Sequence, residues 1–186
     1  SLLDGQASID ALIDKAHKDG MRAIAVTDHG VMFGIKEFFN KVNKKNGKYK
    51  DTIKKAQKEL DKINSQAEPL TEEDNQKKAE LEKQIQEAEA SIFKPIIGCE
   101  CYCARHGRHS KLATQDDRSG WHLIVLAKNL NGYKNLIKMV SLSWTEGFYG
   151  RPRIDKELLE QYHEDLIVCS ACLGGEIPQL IMKGQL

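Results

Sequence analysis

The chain has 186 residues, room for one ordinary domain with an insertion or for most of a larger one, but short of two full ones at roughly 100 to 200 residues per domain. Lysine and arginine number 28 against 27 acidic residues, a net charge of +1, so no whole-molecule field draws a nucleic-acid backbone and any such contact must be local. The 40% hydrophobic fraction suffices for a core, yet no apolar run approaches the ~18 to 20 residues of a membrane span.

The opening Ser1-Leu2-Leu3-Asp4-Gly5 shows no secretory pattern, and five cysteines do not suggest a disulfide framework, so a reducing, cytoplasmic setting is expected. Ser8 can cap a helix whose apolar positions Ile9, Leu12, Ile13 and Ala16 follow helical spacing, with Gly20 as its stop. Ala23 to Thr27 then reads as a short buried strand that ends in the polar cluster Asp28-His29-Gly30. A second helix is expected after Met32, burying Ile35, Phe38, Phe39 and Val42.

Charged residues make up 30% of the chain, above the ~25% of an average domain, and the excess sits between Lys44 and Ser91. There Ile53, Ala56, Leu60 and Ile63, and after Pro69 Leu81, Ile85, Ala88 and Ile92, repeat at heptad-like intervals. Thr71 followed by Asp74 resembles a helix start. The expectation is an antiparallel helical hairpin over residues 44–91, projecting ~25 to 30 Å. It serves either as a solvated insertion, the ordinary fate of mixed charge on a heptad pair, or as an arm for a partner or DNA.

Beyond it the α/β pattern resumes. Ile96 to Tyr102 and His122 to Ala127 read as strands, the segments around Tyr133 to Val140 and Asp155 to Tyr162 as helices, and Leu166 to Ser170 as a further strand running into Ala171-Cys172-Leu173-Gly174-Gly175. Strands separated by helical segments point to parallel βα units, in which chemistry collects at strand ends.

Asp28-His29, Glu100, His122 and Cys172 emerge from these apolar stretches. Carboxylate, imidazole and thiolate are the ligands of a divalent ion such as zinc, and single ligands from successive strands suit a catalytic cluster better than a structural finger. Taken singly, each has an ordinary structural role, a hydrogen-bonded His or a packed Cys; their joint placement is the signal. Cys99, Cys101 and Cys103 alternate with Glu100, so the three sulfurs face one side of a strand and Glu100 the other. The basic segment Arg105 to Lys111 is either a solvated loop or a local contact for phosphates.

The segments Leu3-Asp4-Gly5, Ala25-Val26-Thr27-Asp28-His29-Gly30, Ile97-Gly98-Cys99-Glu100, His122 to Ala127 and Leu166 to Ile177, in this order, resemble the polymerase and histidinol phosphatase (PHP) family. Trp144-Thr145-Glu146-Gly147-Phe148-Tyr149 with Arg151-Pro152-Arg153 narrows the likeness to the PHP domains of bacterial replicative DNA polymerases. The resemblance covers the chain outside the charged hairpin. It implies a distorted βα barrel acting on phosphoesters, with Asp4, His29, Glu100, His122 and Cys172 on the family's metal-ligand positions and Asp28 as a supporting carboxylate. The family's His-x-His pair and its late Asp-x-His motif have no match here, so the chain is expected to be part of a longer subunit and to bind metal weakly by itself.

The implied ions are zinc or manganese, with magnesium serving the polymerase. The implied partners are DNA, the other subunits of the replicative polymerase and the remaining domains of the same subunit, with no membrane. The function expected from the resemblance is a metal-dependent phosphoesterase, a proofreading 3′→5′ exonuclease, on a subunit whose nucleotidyl transfer lies elsewhere. The alternatives are a structural or docking module without nuclease activity, and a free-standing phosphatase, which the Trp144 to Arg153 segment disfavours.

Overall fold

A computed structural model describes residues 8–65 and 71–185, with residues 115 and 116 described by their backbone alone. They fall into two compact units, one holding Ala25–Lys36 and Ile96 onward, the other the residues before Ala25 and Glu37–Pro95.

The second unit is mainly helical. Helix α1 (Ile9–Lys18) starts where the Ala11 N–H donates to the Ser8 hydroxyl at 3.2 Å, and Gly20 follows its end at a φ of 77°. Helix α2 (Ile35–Asn64) is continuous, so the helix expected after Met32 and the first arm of the charged hairpin are one element. Only Gly47 interrupts the helix-forming residues between them, a cost of about 1 kcal/mol that thirty residues of helix absorb. Helix α3 (Glu72–Ala90) opens on a capping box, the Asp74 N–H donating to the Thr71 hydroxyl and the Thr71 N–H to the Asp74 carboxylate.

Glu59 pairs with Lys77 at 3.6 Å, while Thr52 and Gln84 line the same groove further from the turn, so α3 runs antiparallel to the second half of α2. Ala56, Leu60, Ile63 and Leu81 form one buried cluster with Ile85 packed on it. The turn around Pro69 lies outside the described residues. Elsewhere in this unit Asn46 is buried, its amide donating to the Phe93 carbonyl at 2.7 Å and accepting from the Phe93 N–H at 3.0 Å, which leaves neither polar end unpaired.

The strands β1 (Ala23–Val26), β2 (Lys94–Cys103), β3 (Trp121–Ala127) and β5 (Leu166–Cys169) form a sheet in that order, and the two-residue β4 (Arg153–Ile154) pairs with β2. The sheet is mixed, not parallel as expected: β3 is antiparallel to both β2 and β5, while β4 and the bridge at His29 run parallel to β2, and β1 does too, since the Lys94 N–H donates to the Arg22 carbonyl and the Glu100 N–H to the Asp28 carbonyl. The cause lies between β2 and β3, where the chain offers only the short helix α4 (Gln115–Ser119) and no crossover helix, so it returns antiparallel. β5 ends the strand order, and its Ile167 and Val168 are each 47% exposed, so it is not the fully buried strand its apolar run suggests.

One face of this sheet carries the core. Cys99, Cys101 and Cys103 pack with Val125 against Leu136, Met139 and Val140 of α5 (Leu130–Thr145) and Leu158 of α6 (Lys156–Tyr162). Burial pushes the Cys103 thiol up to about 11, and a hydrogen bond with Cys99, together with burial, raises Cys101 well above its usual value, so Cys101 and Cys103 are packed, protonated thiols.

The basic segment after β2 is neither solvated nor free for phosphates at its centre. Arg108 is held by Glu146 at 2.8 Å and by Asp155 and Glu157, each at 3.1 Å. Below it Arg153, fully buried, donates to the carbonyls of Gly147, Asp117, Arg108 and Ser110 at 2.6 to 3.0 Å. These bonds fasten the loop to the sheet edge.

Candidate metal centre

The opposite face of the sheet gathers the candidate ligands. Past β1 the chain continues beside β2: the Glu100 N–H donates to the Asp28 carbonyl at 3.0 Å and the Gly30 N–H to the Glu100 carbonyl at 2.8 Å, which fixes His29 next to Glu100. On the antiparallel pair β2 and β3, Tyr102 lies opposite His122 and Glu100 opposite Ile124. Side chains two residues apart share a face, so Glu100, Tyr102 and His122 stand together, away from the cysteines.

Cys172 arrives from the loop after β5. That loop passes through Ala171 at a φ of 57°, an uncommon conformation for a residue with a side chain. It is tied back to β3 by the His122 N–H, which donates to the Gly174 carbonyl at 3.0 Å, and the Gly174 N–H donates to Cys172 Sγ at 3.4 Å. A Cβ on Gly174 would stand 3.0 Å from the His122 ring, so a glycine lets the loop approach this closely.

Glu100 divides its carboxylate between two imidazoles: Oε1 lies 3.0 Å from His122 Nδ1, and Oε2 meets His29 Nδ1. Cys172 Sγ lies 3.3 Å from the same His122 Nδ1. One donor atom each from Glu100, His122 and Cys172 thus lies within 4.8 Å of the others. Glu100 is 9% exposed, whereas His29 is 56% exposed and Cys172 is open to solvent, so the cluster has a buried floor and an accessible mouth.

This donor set fits a divalent cation. A carboxylate oxygen, an imidazole nitrogen and a sulfur converge with their lone pairs facing one another, and a single proton on Nδ1 can serve only one of the two acceptors beside it. Carboxylate, imidazole and thiolate together are suited to zinc or a similar ion.

Of the residues expected from the sequence, the fold brings His29, Glu100, His122 and Cys172 together, while Asp4 lies outside the described residues. The Asp28 carboxylate accepts from the Gly34 N–H at 3.2 Å and so shapes the loop that follows His29. Three further side chains border the cluster without being among the expected ligands. Tyr102 packs edge-on against His122 with ring centroids 5.2 Å apart, Arg151 donates to the Tyr102 hydroxyl at 2.6 Å, and the Trp144 indole N–H donates to the Gly30 carbonyl at 2.8 Å. Tyr102 was legible, since it sits two residues from Glu100 on one strand; the contacts of Arg151 and Trp144 span 49 and 114 residues of sequence and carry no local signal.

Residues 1–186 match the model of the PHP domain. The chain belongs to the PHP domain family. It is also similar to the DNA polymerase III subunit alpha of Borreliella burgdorferi, with 40% identity over 185 residues. The corresponding subunits of Chlamydia pneumoniae and Thermus aquaticus are 34% and 33% identical over 183 and 189 residues. The matches cover 98 to 100% of this PHP domain but only 11 to 12% of those proteins. Among the described residues no helix is long and apolar enough to cross a membrane.

Proposed function

We propose that this PHP domain is a part of a DNA polymerase III alpha subunit and that its cluster is a divalent-metal site for phosphodiester hydrolysis, acting as a proofreading 3′→5′ exonuclease. The observation that carries the reading is the convergence of Glu100, His122 and Cys172, with His29 on the same carboxylate, at a mouth open to solvent. The relatives supply the context of DNA replication, hence DNA, the other holoenzyme subunits and the remaining domains of the alpha subunit as partners, in the cytoplasm. Nucleotidyl transfer, with its magnesium, belongs in this reading to other parts of the subunit. The sheet is read as part of a distorted βα barrel, and residues 44–91 as a charged insertion in it.

Glu100, His122, Cys172 and His29 would hold zinc or manganese, with Asp4 as a further ligand. Bound divalent ions supply a water activated at neutral pH and stabilisation of the charge on the phosphate oxygens. Glu100 fixes both histidines at once, so the imidazoles are oriented before any ion arrives.

A second reading, a docking module in which the cluster only braces the fold, is favoured by Glu100 itself, whose buried carboxylate links two neighbouring segments. Manganese-supported hydrolysis of a mismatched primer terminus by the full-length protein, beside its His29→Ala variant, separates the two. Hydrolysis lost in the variant supports the nuclease; no hydrolysis by either protein despite bound metal supports the module.

A further inference from the structure

Gly30, the residue after His29, is the meeting point of two side-chain pairs that the metal cluster does not use. Its φ is 65°, and a Cβ there would meet the Pro152 ring at 2.7 Å and the Tyr102 ring at 3.2 Å. Its carbonyl accepts from Trp144. The indole of Trp144 stacks on Phe148 with ring centroids 5.4 Å apart and planes 17° from parallel, yet the two residues remain 45% and 48% exposed. The two stacked rings, half open to water, thus adjoin the residue that follows His29.

On the other side of Gly30, Arg151 lies 4.7 Å over the Tyr102 ring and donates to its hydroxyl. Among the described residues Arg151 forms no ion pair with a carboxylate, unlike Arg108 and Arg153 close by in sequence. Among the described residues its charge meets a phenol and an aromatic face, and the phenol, accepting from Arg151, keeps its own proton to donate.

We infer that Trp144 with Phe148 and Arg151 with Tyr102 form a nucleotide subsite beside the metal cluster, in which an exposed ring of the aromatic pair stacks a base of a single strand and the guanidinium takes the phosphate of the same strand. Stacking rings next to a cation are the chemistry by which single strands are held without regard to sequence, since every base has a π face and every link a negative charge. The two pairs join at the residue that follows His29, so a strand seated on them presents its end to the cluster. The inference rests on the proposed nuclease reading for its substrate, but its test does not depend on hydrolysis.

In EDTA, so that no cleavage occurs, the full chain is titrated with a fluorescein-labelled strand of about ten thymidines and with an abasic strand of the same length and charge. The thymidine strand is expected to bind about tenfold more tightly than the abasic one. Phe148→Ala, which leaves the Trp144 bond to Gly30 in place, abolishes that preference, and Trp144→Ala does the same. Arg151→Gln weakens both strands alike and flattens their salt dependence. Equal affinity for the two strands, or no binding of either, overturns the inference and leaves the aromatic pair as a face for a protein partner. Failure of hydrolysis with manganese, with these binding results intact, would instead fall on the nuclease reading.

Discussion

The Glu100 carboxylate stands 3.0 Å from His122 Nδ1 although the two residues are not opposite one another on their strands; Glu100 faces Ile124, two positions further along β3. The contact is diagonal, within reach of long side chains on adjacent antiparallel strands. It exists because β3 returns antiparallel to β2, so the mixed sheet, not a parallel one, brings these two groups together.

Glu100→Gln keeps the shape of this side chain, removes its charge and turns one of its two accepting oxygens into a donating amide. Affinity for manganese or zinc, read by titration calorimetry, is expected to fall by more than about tenfold, as an anionic donor and the anchor of two imidazoles are lost together. Unchanged affinity would remove Glu100 from the site.

Gly174→Ala tests the close approach of the Cys172 loop. The new methyl would stand 3.0 Å from the His122 ring, so either the ring or the loop must give. The expected result is weaker metal binding with a thermal midpoint within a few degrees of the parent, because the displaced segment is a loop at an exposed mouth.

Arg153 is the structural counterpart to the site. With no exposed surface and four carbonyl acceptors, it is expected to cost about 3 kcal/mol or more when replaced by Met, which leaves buried acceptors unpaired. Arg153→Lys should rescue little, since an ammonium cannot reproduce the planar fork that reaches four oxygens. Chemical denaturation of the full chain reads both.

Acid sensitivity is expected to centre on Asp155. Burial works to raise its carboxyl, but the N–H groups of Arg108 and Leu158 and the Arg108 guanidinium outweigh it and hold the group below its usual 3.8. A folded-state value below the unfolded one means the stabilisation is complete above that usual value and is lost as pH falls through the folded-state value. Asp155→Asn should therefore lower stability at about pH 7 and remove part of the loss seen at about pH 3, as measured by urea unfolding at both. A variant with the parent's pH dependence would contradict this assignment.

Local rules carried much of the sequence reading. Ser8 and Thr71 cap the helices they announce, and the heptad positions Ala56, Leu60, Ile63 and Leu81 bury together, because caps and helical periodicity are set by residues within a few positions. Glu100, His122 and Cys172 converge, with His29 on the same carboxylate, and each of them stands out as a polar or sulfur ligand within or beside an apolar run. Strand direction was obscured by the alternation of strands and helices along most of the chain, although the segment between Cys103 and Trp121 holds no helix long enough for a parallel crossover. The buried role of Arg153 was not legible, since it sits in a two-residue strand amid basic neighbours and its partners lie on loops distant in sequence.

The claim that Glu100, His122 and Cys172 hold one ion is tested most directly by adding cobalt(II) to the full chain and recording the thiolate-to-cobalt charge-transfer absorption. The band is expected to appear in the parent and in Cys169→Ser, and to vanish in Cys172→Ser and His122→Ala. A band that survives Cys172→Ser, or no band at saturating cobalt in the parent, would contradict the assignment.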